Sequence, residues 1–508
     1  MHLEYSTFRM ANLFDLEHWN PWWISIDRIF DDAQFKIWKN SRFKWVPRIR
    51  GEIEFLDVIY TLRGPRRVGK TTFIKVLVYE LLFRHEVDPR CVFYYPCDLV
   101  DSPKQLVEIL RTFIERVKPP SERGYIFVDE VSMLRDWQRA VKVLADAGML
   151  RNCTLILTGS HSMDVKKASE TLAGRRGEVD KIKGAPDKIL YPASFSEYVS
   201  TVDNELGRFL RENLSSIEKR CDVILSLAKG EIPSIVEELN IVYHGRLKSY
   251  FERYMVTGGF PQCIHTFFDR GLIPNVMYRE YVDLVVRDVI RWGGRESYLR
   301  QTVRRICETR GSRISWDALK NGTEIGDSRT VAWYTEILKE NFAVGCTYQV
   351  DVERKWPIYR KMKKIHFRDP FISHAFTAWI RSEDGYTLSL KLLTEQQYLS
   401  ALVEDIVYDH VVRFISEIKS YPVEETESVF HWVSKKGREV DIVTWIGENI
   451  LPIEVKYTDT ISRSDLYGLY DLNKVTKMNY CGIVISKNIL KENRMIAIVP
   501  AHIFLTLL

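Results

Sequence analysis

Residues 62–72 read LRGPRRVGKTT and contain the pattern G-x-x-x-x-G-K-T. An apolar run at residues 55–62 precedes this stretch, and a helical pattern, TFIKVLVYELLF, follows it at residues 72–83. A glycine-rich loop between a strand and a helix can close its backbone N–H groups around phosphates, and the helix N-terminus favours an anion. The sequence therefore predicts a phosphate-binding loop made of Gly64, Pro65, Arg66, Arg67, Val68, Gly69, Lys70, Thr71 and Thr72.

The residue types in this loop indicate ATP and Mg²⁺ as cofactors. Lys70 is expected to reach the β and γ phosphates, and the Thr71 hydroxyl is expected to bind Mg²⁺. A second stretch, YIFVDEV at residues 125–131, reads as an apolar strand that ends in two acids. Asp129 would hold Mg²⁺ and Glu130 would act as the catalytic base that polarises the attacking water. The alternative for the two acids alone is a strand followed by an acidic helix cap.

Further strand-like runs complete the predicted nucleotide-binding core. Residues 91–97 (CVFYYPC) and 155–160 (LILTGS) alternate with helical segments, which is typical of a parallel sheet with helices on both faces. Ligands of such sheets bind at the carboxyl ends of the strands. Thr158 or Ser160 is placed to contact the γ-phosphate or the attacking water as a sensor. In LAGRRG (172–177), Arg175 or Arg176 could be an arginine finger, within the chain or toward a neighbouring subunit, or part of a solvated basic turn.

The composition excludes several classes of protein. The chain has 508 residues, a formal net charge of +5 and 8 cysteines, with no C-x-x-C pair. This spacing excludes a zinc ribbon and gives no indication of a disulfide scaffold. The N-terminal residues carry acids where a secretion signal needs an apolar run, and the sequence has no apolar run long enough to span a membrane. We therefore expect a cytoplasmic protein without a membrane partner.

The middle of the chain has the element order of a winged helix. Helical patterns at residues 298–310, 315–320 and 328–341 are followed by strand-like runs at 343–352 and 359–367. In this interpretation the third helix would read DNA, with Arg329 at its start. The basic run at residues 360–364 could contact the phosphate backbone, mostly without sequence specificity. The alternative is a domain-packing module, because the third helix is apolar and acidic over much of its surface.

The C-terminal part carries the pattern D-x₁₂-E-x-K on a strand meander. Asp441 lies on one predicted strand, and Glu454 and Lys456 lie two residues apart on the next. Alternate residues of a strand share a face, so the three side chains can meet there. Two carboxylates can hold Mg²⁺ or Mn²⁺, which activates a water, while the lysine orients it. The alternative is a salt bridge between one of the acids and Lys456.

In both order and residues this part resembles the PD-(D/E)xK nuclease core. The resemblance implies that Glu404, on the helical segment at residues 402–414, completes the metal shell. It implies catalytic roles for Asp441, Glu454 and Lys456 and metal-binding roles for Glu404, Asp441 and Glu454.

Taken in order, GPRRVGKTT, YIFVDEV, LILTGS, LAGRRG, LYPASFSEY (190–198) and TGGFP (257–261) resemble a wider family. It comprises archaeal and bacterial AAA-type ATPases that carry a C-terminal nuclease-like domain of unknown function. The resemblance implies an α/β multidomain protein: an N-terminal cover and P-loop core (1–200), a helical lid (201–295), a winged-helix-like domain (296–370) and a restriction-endonuclease-like α/β domain (371–508).

Two functions follow as hypotheses of different classes. The first is ATP hydrolysis coupled to nucleic-acid binding or to metal-dependent DNA cleavage by the C-terminal domain. The second is an ATP-dependent switch or adaptor for a protein partner, with an inert nuclease-like domain. A homo-oligomer is compatible with either hypothesis.

Overall fold

The computed structural model describes residues 13–159, 172 and 174–508, with the backbone alone at residues 13–15. The chain divides into two compact units, Met1–Tyr191 and Pro192–Leu508. The finer division into four domains stays a prediction. Within the described part of the chain, no helix is both long and apolar enough to cross a membrane.

The first unit is built on a parallel five-stranded sheet. Its strands are β1 (Ile59–Arg63), β2 (Val92–Pro96), β3 (Gly124–Asp129), β4 (Cys153–Gly159) and β5 (Asp187–Ile189). They lie side by side in the order β2-β3-β4-β1-β5, and every pair is parallel. The connecting helices include Lys70–Phe83, Pro103–Thr112 and Trp137–Asp146. Nearly all strand residues are buried because parallel sheets carry helices on both faces. The predicted parallel sheet is thus confirmed.

The N-terminal segment covers the open edge of this sheet at β2. Its helices are Leu13–Trp19 and Ala33–Asn40. An edge strand exposes unpaired backbone groups. Here the indole N–H groups of Trp22 and Trp23 both donate to the Val92 carbonyl at 2.9 Å. The Asn20 side chain bonds the Tyr94 backbone, accepting its N–H at 2.7 Å and donating to its carbonyl at 3.1 Å. The segment therefore protects the edge as well as burying apolar surface.

The second unit begins with a run of helices. These are Phe195–Val202, Asn204–Asn213, Ile217–Ala228, Ser234–Val242, His244–Thr257, Pro261–Arg270 and Asn275–Arg291. Helix Phe195–Val202 starts at a capping box, in which Ser194 and Glu197 each bond the other's backbone N–H. Glycine is required just after helix His244–Thr257, because Gly258 has a φ of 59° and a Cβ there would lie 1.9 Å from Asp369 Oδ1.

Three helices and an antiparallel strand pair follow, as the sequence predicts. The helices are Glu296–Glu308, Trp316–Lys320 and Ser328–Glu340, and the strands are β6 (Val344–Tyr348) and β9 (Lys363–Phe367). Two short strands, β7 (Val350–Asp351) and β8 (Trp356–Pro357), pair between them. Ser315 and Asp327 cap the second and third helices by accepting backbone N–H groups. Leu299, Val331 and Leu338 anchor these elements in one buried apolar cluster.

A six-stranded mixed sheet forms the C-terminal part of this unit. Its strands are β10 (Phe430–Val433), β11 (Glu439–Ile446), β12 (Asn449–Val455), β13 (Gly482–Ser486), β14 (Lys491–Asn493) and β15 (Ile496–Pro500). Their order is β10-β11-β12-β13-β15-β14. The helices of this part are Pro370–Arg381, Gly385–Leu392, Gln396–Lys419, Tyr467–Thr476 and Ala501–Leu507. A tight hairpin turn joins β11 to β12, with Ile446 opposite Asn449 and Gly447 at a φ of 59°.

Candidate functional site

The phosphate-binding loop lies at the carboxyl end of β1. Gly69 is the N-cap of helix Lys70–Phe83 and has a φ of 99°, a left-handed conformation that favours glycine. Gly64 approaches the Leu190 carbonyl so closely that a Cβ would lie 2.2 Å from its oxygen. Val68 is buried, and Arg67 also has a positive φ, of 65°. The loop therefore turns tightly at Arg67 and Gly69, directly before the helix that begins at Lys70.

Lys70 and Thr71 open the helix beneath this loop. The Lys70 ammonium is buried and donates to the Gly64 and Pro65 carbonyls at 3.0 and 3.2 Å. The Thr71 hydroxyl donates to Asp129 Oδ2 at 2.7 Å. The structure thus brings together the lysine, the hydroxyl and the strand acid that the sequence predicts for phosphate and Mg²⁺.

Hydroxyl groups from two neighbouring strands hold Asp129. The Thr158 hydroxyl donates to Asp129 Oδ1 and accepts the Glu130 backbone N–H at 3.0 Å. The Tyr94 hydroxyl donates to Asp129 Oδ2 at 3.1 Å. Tyr94 was not predicted as a site residue, although its strand was. The signal that could have identified Tyr94 was its position near the carboxyl end of β2. It lies two residues before Pro96, which pairs with Asp129 on β3.

The Asp129 environment fits a bound cation. Burial raises the pKa of Asp129, while hydrogen bonds from Thr158 and Thr71 and the charge of Lys70 lower it. Glu130 directly follows β3 with a φ of 54° and is half-buried. The loop, the buried lysine and the Thr71–Asp129 pair are the donor set that ATP with Mg²⁺ requires.

The remaining predicted nucleotide contacts are not brought to this point. Ser160 lies outside the described residues. Arg175 bonds Asp146 Oδ1 at 2.6 Å, and the Arg176 carbonyl accepts the Ile59 N–H at the amino end of β1. Arg176 itself is buried against Asp187 at 2.9 Å. Both arginines therefore lie at the opposite end of β1 from the phosphate-binding loop of the same chain.

A second polar cluster joins β11, β12 and helix Gln396–Lys419. Asp441 Oδ2 accepts the Val455 N–H at 2.9 Å, and Glu454 Oε2 accepts the Asp441 N–H at 3.3 Å. Lys456 Nζ lies 2.6 Å from Glu454 Oε1. The structure thus brings together the predicted D, E and K side chains, and the alternative pairing of Glu454 with Lys456 is also present.

Lys364, from β9, enters the same cluster. Its ammonium donates to Asp441 Oδ1 at 2.7 Å and to Glu404 Oε1 at 2.8 Å. It also lies 2.8 Å from Glu439 Oε1. Lys364 is 2% exposed, and Asp441 and Glu404 are also buried. Sequence reasoning missed this residue as part of the cluster.

The position of Lys364 corrects one sequence interpretation. From the sequence alone, the basic run at residues 360–364 could contact the phosphate backbone. Lys363 and Lys364 are instead buried, with the Lys363 ammonium 4.2 Å from the centroid of the Trp316 ring. Arg360 and Lys361 remain exposed. The strand points its two lysines into opposite sides of the protein interior because successive strand residues face opposite ways.

Alternate residues of β9, together with Arg368 directly after the strand, continue a row of polar contacts along helix Gln396–Lys419. His366 Nδ1 lies 3.1 Å from Asp405 Oδ1, and Arg368 Nε lies 2.8 Å from Asp409 Oδ1. We call Lys364, His366 and Arg368, with the helix acids Glu404, Asp405 and Asp409, the β9 ladder. Every member is buried.

The charges of the cluster perturb one another strongly. Burial favours the neutral form of Lys364, but Asp441, Glu404 and Glu439 outweigh it and hold its pKa well above the ordinary range. Burial and the Asp441 charge raise the pKa of Glu454. Although burial opposes ionisation of Asp441, Lys364 lowers the pKa of Asp441. The charged form of the Lys364–Asp441 pair is thus favoured.

The cluster as it stands does not fit a metal ion. Among the described residues, no group of three or more His, Cys, Asp or Glu is arranged to hold one. Mg²⁺ binds oxygen at about 2.0–2.1 Å, whereas Lys364 separates the Asp441 and Glu404 carboxylates with contacts of 2.7 and 2.8 Å. A divalent ion would also meet the positive charge of Lys364.

Three family models match successive parts of the chain. Residues 57–199 match a model described as an AAA domain. Residues 248–383 and 399–504 match two domains of unknown function, DUF8612 and DUF4143. No curated protein gives a significant match. The first match, with the parallel sheet and the phosphate-binding loop, supports an AAA-type P-loop fold for the first unit.

Solved structures give only weak similarities over the whole chain. The Orc1 protein of Aeropyrum pernix, solved in complex with DNA, is 14% identical, with 73% of this chain and 97% of that one covered and a TM-score of 0.29. RuvB of Thermotoga maritima is 15% identical, with 65% and 89% covered and a TM-score of 0.23. Cdc6p of Pyrobaculum aerophilum is 13% identical, with 73% and 95% covered and a TM-score of 0.23. TM-scores this low support no conclusion about function.

Proposed function

We propose that the first unit binds ATP with Mg²⁺ and hydrolyses it. Lys70 contacts the β and γ phosphates, Thr71 and Asp129 hold the Mg²⁺ shell, and Glu130 orients the attacking water. When bound, Mg²⁺ neutralises charge on the transferred phosphoryl group. The observation that carries the proposal is the Thr71–Asp129 hydrogen bond of 2.7 Å beside the buried Lys70.

Phosphate release from ATP tests this proposal. Lys70→Ala is expected to lose both ATP binding and hydrolysis, whereas Glu130→Gln is expected to bind ATP and lose hydrolysis. Lys104→Ala is the matched control, because Lys104 is an exposed lysine on another helix of the same unit. Hydrolysis by Lys70→Ala at the rate of the Lys104→Ala control would refute the proposal.

For the second unit, we propose a nuclease-like domain that has lost cleavage and serves an ATP-dependent switch or adaptor. The convergence of Asp441, Glu454 and Lys456 on adjacent strands supports the nuclease-like ancestry. The burial of Lys364 among the carboxylates supports the loss of activity. DNA cleavage coupled to ATP hydrolysis is the competing candidate, favoured by the same convergence of acids.

Cleavage of labelled single- and double-stranded DNA with Mg²⁺ or Mn²⁺, with and without ATP, separates these two candidates. The proposal predicts no cleavage by the intact protein on either substrate. Cleavage that is lost in Asp441→Ala would establish the nuclease and refute the inert domain. Its dependence on Lys70 would then show whether ATP hydrolysis drives it.

We further propose that the helices and strands between residues 296 and 367 form a winged-helix-like packing module. The element order, the capped second and third helices and the strand pair support the winged-helix assignment. The burial of Lys363 and Lys364 favours packing over phosphate contact. At the start of the third helix, the positively charged side chain of Arg329 is 91% exposed. DNA affinity that falls steeply with salt would refute the packing role.

A further inference from the structure

The ammonium of Lys364 is the central charge of the C-terminal carboxylate cluster. It lies within 2.8 Å of oxygens from three acids on two separate segments: Glu404 on helix Gln396–Lys419, and Glu439 and Asp441 on β11. An ammonium group offers three N–H donors and no acceptor. The Lys364 ammonium donates charge-assisted hydrogen bonds to Asp441 at 2.7 Å and to Glu404 at 2.8 Å, and it forms an ion pair with Glu439 at 2.8 Å. Lys364 therefore neutralises the cluster in the way a bound cation would.

The fold holds Lys364 at this point from both sides. The next alternate residue of β9, His366, and Arg368, directly after the strand, contact acids further along the same helix. On the opposite face of β9, Ile365 and Phe367 belong to the large apolar cluster. Strand β9 is also bonded to β6 along its whole length. Lys364 thus enters the cluster on a rigid strand anchored along its whole length, and its position is a property of the fold.

The cluster is also short of positive charge without Lys364. Four acids meet there, namely Glu404, Glu439, Asp441 and Glu454. Lys456 neutralises Glu454 at 2.6 Å, and Arg313 lies 2.9 Å from Glu439. Lys364 is the cation that contacts both Glu404 and Asp441. Removing one partner from a buried ion pair leaves an uncompensated charge, which is strongly destabilising until another cation or a proton neutralises it.

We propose that Lys364 is a built-in cation of the nuclease-like site. Its ammonium takes the place between Glu404 and Asp441 that a divalent metal would need, and a divalent cation binds there only when Lys364 is removed. This inference rests on the nuclease-like ancestry proposed for the second unit. It does not depend on ATP hydrolysis by the first unit.

Binding of Mn²⁺ to the nucleotide-free, full-length protein tests the proposal, with free Mn²⁺ measured by electron paramagnetic resonance. Lys364→Ala is expected to bind one Mn²⁺ more than the intact protein. The extra site is expected to disappear in the double variant Lys364→Ala, Asp441→Asn. Binding sites in the first unit are common to all these proteins and cancel in the comparison.

Lys363→Ala is the matched control. Lys363 is also a buried lysine of β9, but it faces Trp316 on the other side of the strand. Its removal is expected to create no Mn²⁺ site. Melting temperatures provide a second measurement: Mn²⁺ is expected to raise the melting temperature of Lys364→Ala by more than that of Lys363→Ala, and an equal rise in both variants would contradict the proposal.

Two outcomes would overturn the proposal. One is a folded Lys364→Ala protein that gains no Mn²⁺ site. The other is an intact protein that binds one Mn²⁺ more than Asp441→Asn, because the site would then accept a metal with Lys364 in place. This second comparison decides the question even where Lys364→Ala does not fold. Neither ATP nor DNA is present, so the outcome is separate from those of the ATPase and cleavage assays.

Discussion

The buried ion pair between Arg310 and Asp405 offers a sharp test of how the second unit is held together. Arg310 Nε lies 2.8 Å and its terminal nitrogen 2.7 Å from Asp405 Oδ2. The guanidinium also packs 4.6 Å from the centroid of the Tyr398 ring and 5.4 Å from that of Phe367. In Arg310→Met, an apolar chain of similar length keeps much of the packing but leaves the Asp405 carboxylate with the imidazole of His366, 3.1 Å away, in place of a guanidinium.

The expected cost follows from that loss of charge compensation. Removing one partner of a buried ion pair costs about 3–5 kcal/mol. With an m-value of about 3 kcal/mol/M, the urea midpoint would fall by about 1–2 M. The measurement is equilibrium urea unfolding followed by circular dichroism, comparing Arg310→Met with the intact protein.

Arg304→Met is the matched control for this prediction. Arg304 lies on the adjacent helix Glu296–Glu308, is 46% exposed and reaches Glu308 only at 3.8 Å. Exposed pairs of this kind contribute about 0–1 kcal/mol. An Arg310→Met protein no less stable than Arg304→Met would refute the reasoning that burial makes the Arg310 pair important.

Two further predictions concern the contact between Gly258 and Asp369. Burial, opposed by backbone N–H groups of Gly259 and Phe371, raises the pKa of Asp369 from 3.8 to about 7. The folded state holds the Asp369 proton more tightly than the unfolded state. The stabilisation from this proton is therefore fully present below about pH 4 and is lost as the pH rises through about 7. The free energy of unfolding changes by about 4 kcal/mol across this range. Asp369→Asn lacks this titration, so between pH 4 and 8 its free energy of unfolding should rise relative to that of the intact protein. Free energies from urea unfolding that change in parallel with pH in the two proteins would contradict this prediction. Gly258→Ala should lose more stability than the control Gly271→Ala. Both glycines have a positive φ, but only at Gly258 would the added Cβ meet Asp369. Equal melting temperatures of the two variants would contradict this prediction.

Short-range signals in the sequence predicted the first unit well. The glycine spacing, the Lys70–Thr71 pair and the acids after β3 each depend on neighbours within one strand–loop–helix unit. The cap residues Ser315 and Asp327 likewise act on the helices that immediately follow them. Such features are local, so they can be read without knowing the tertiary structure.

Contacts between distant segments could not be predicted in the same way. Lys364 and Asp441 are 77 residues apart, and the basic run around Lys364 looks like a surface run when taken alone. The available signal was the alternation of Lys364, His366 and Arg368, which places three basic side chains on one face of a strand. The residues around Arg175 did not indicate that it lies at the amino end of β1. That position is set by the tertiary structure and not by local sequence.

The β9 ladder also determines which register of β9 can fold. If the strand slipped by one residue, Lys363, Ile365 and Phe367 would face the helix acids in place of Lys364, His366 and Arg368. Two of the three acids, Asp405 and Asp409, would then be buried against apolar side chains, and the basic groups would enter the apolar cluster. A misregistered strand is therefore penalised on both faces at once. The acids of helix Gln396–Lys419 therefore favour the native register of β9 during folding, because only in that register do all three of them meet a basic side chain.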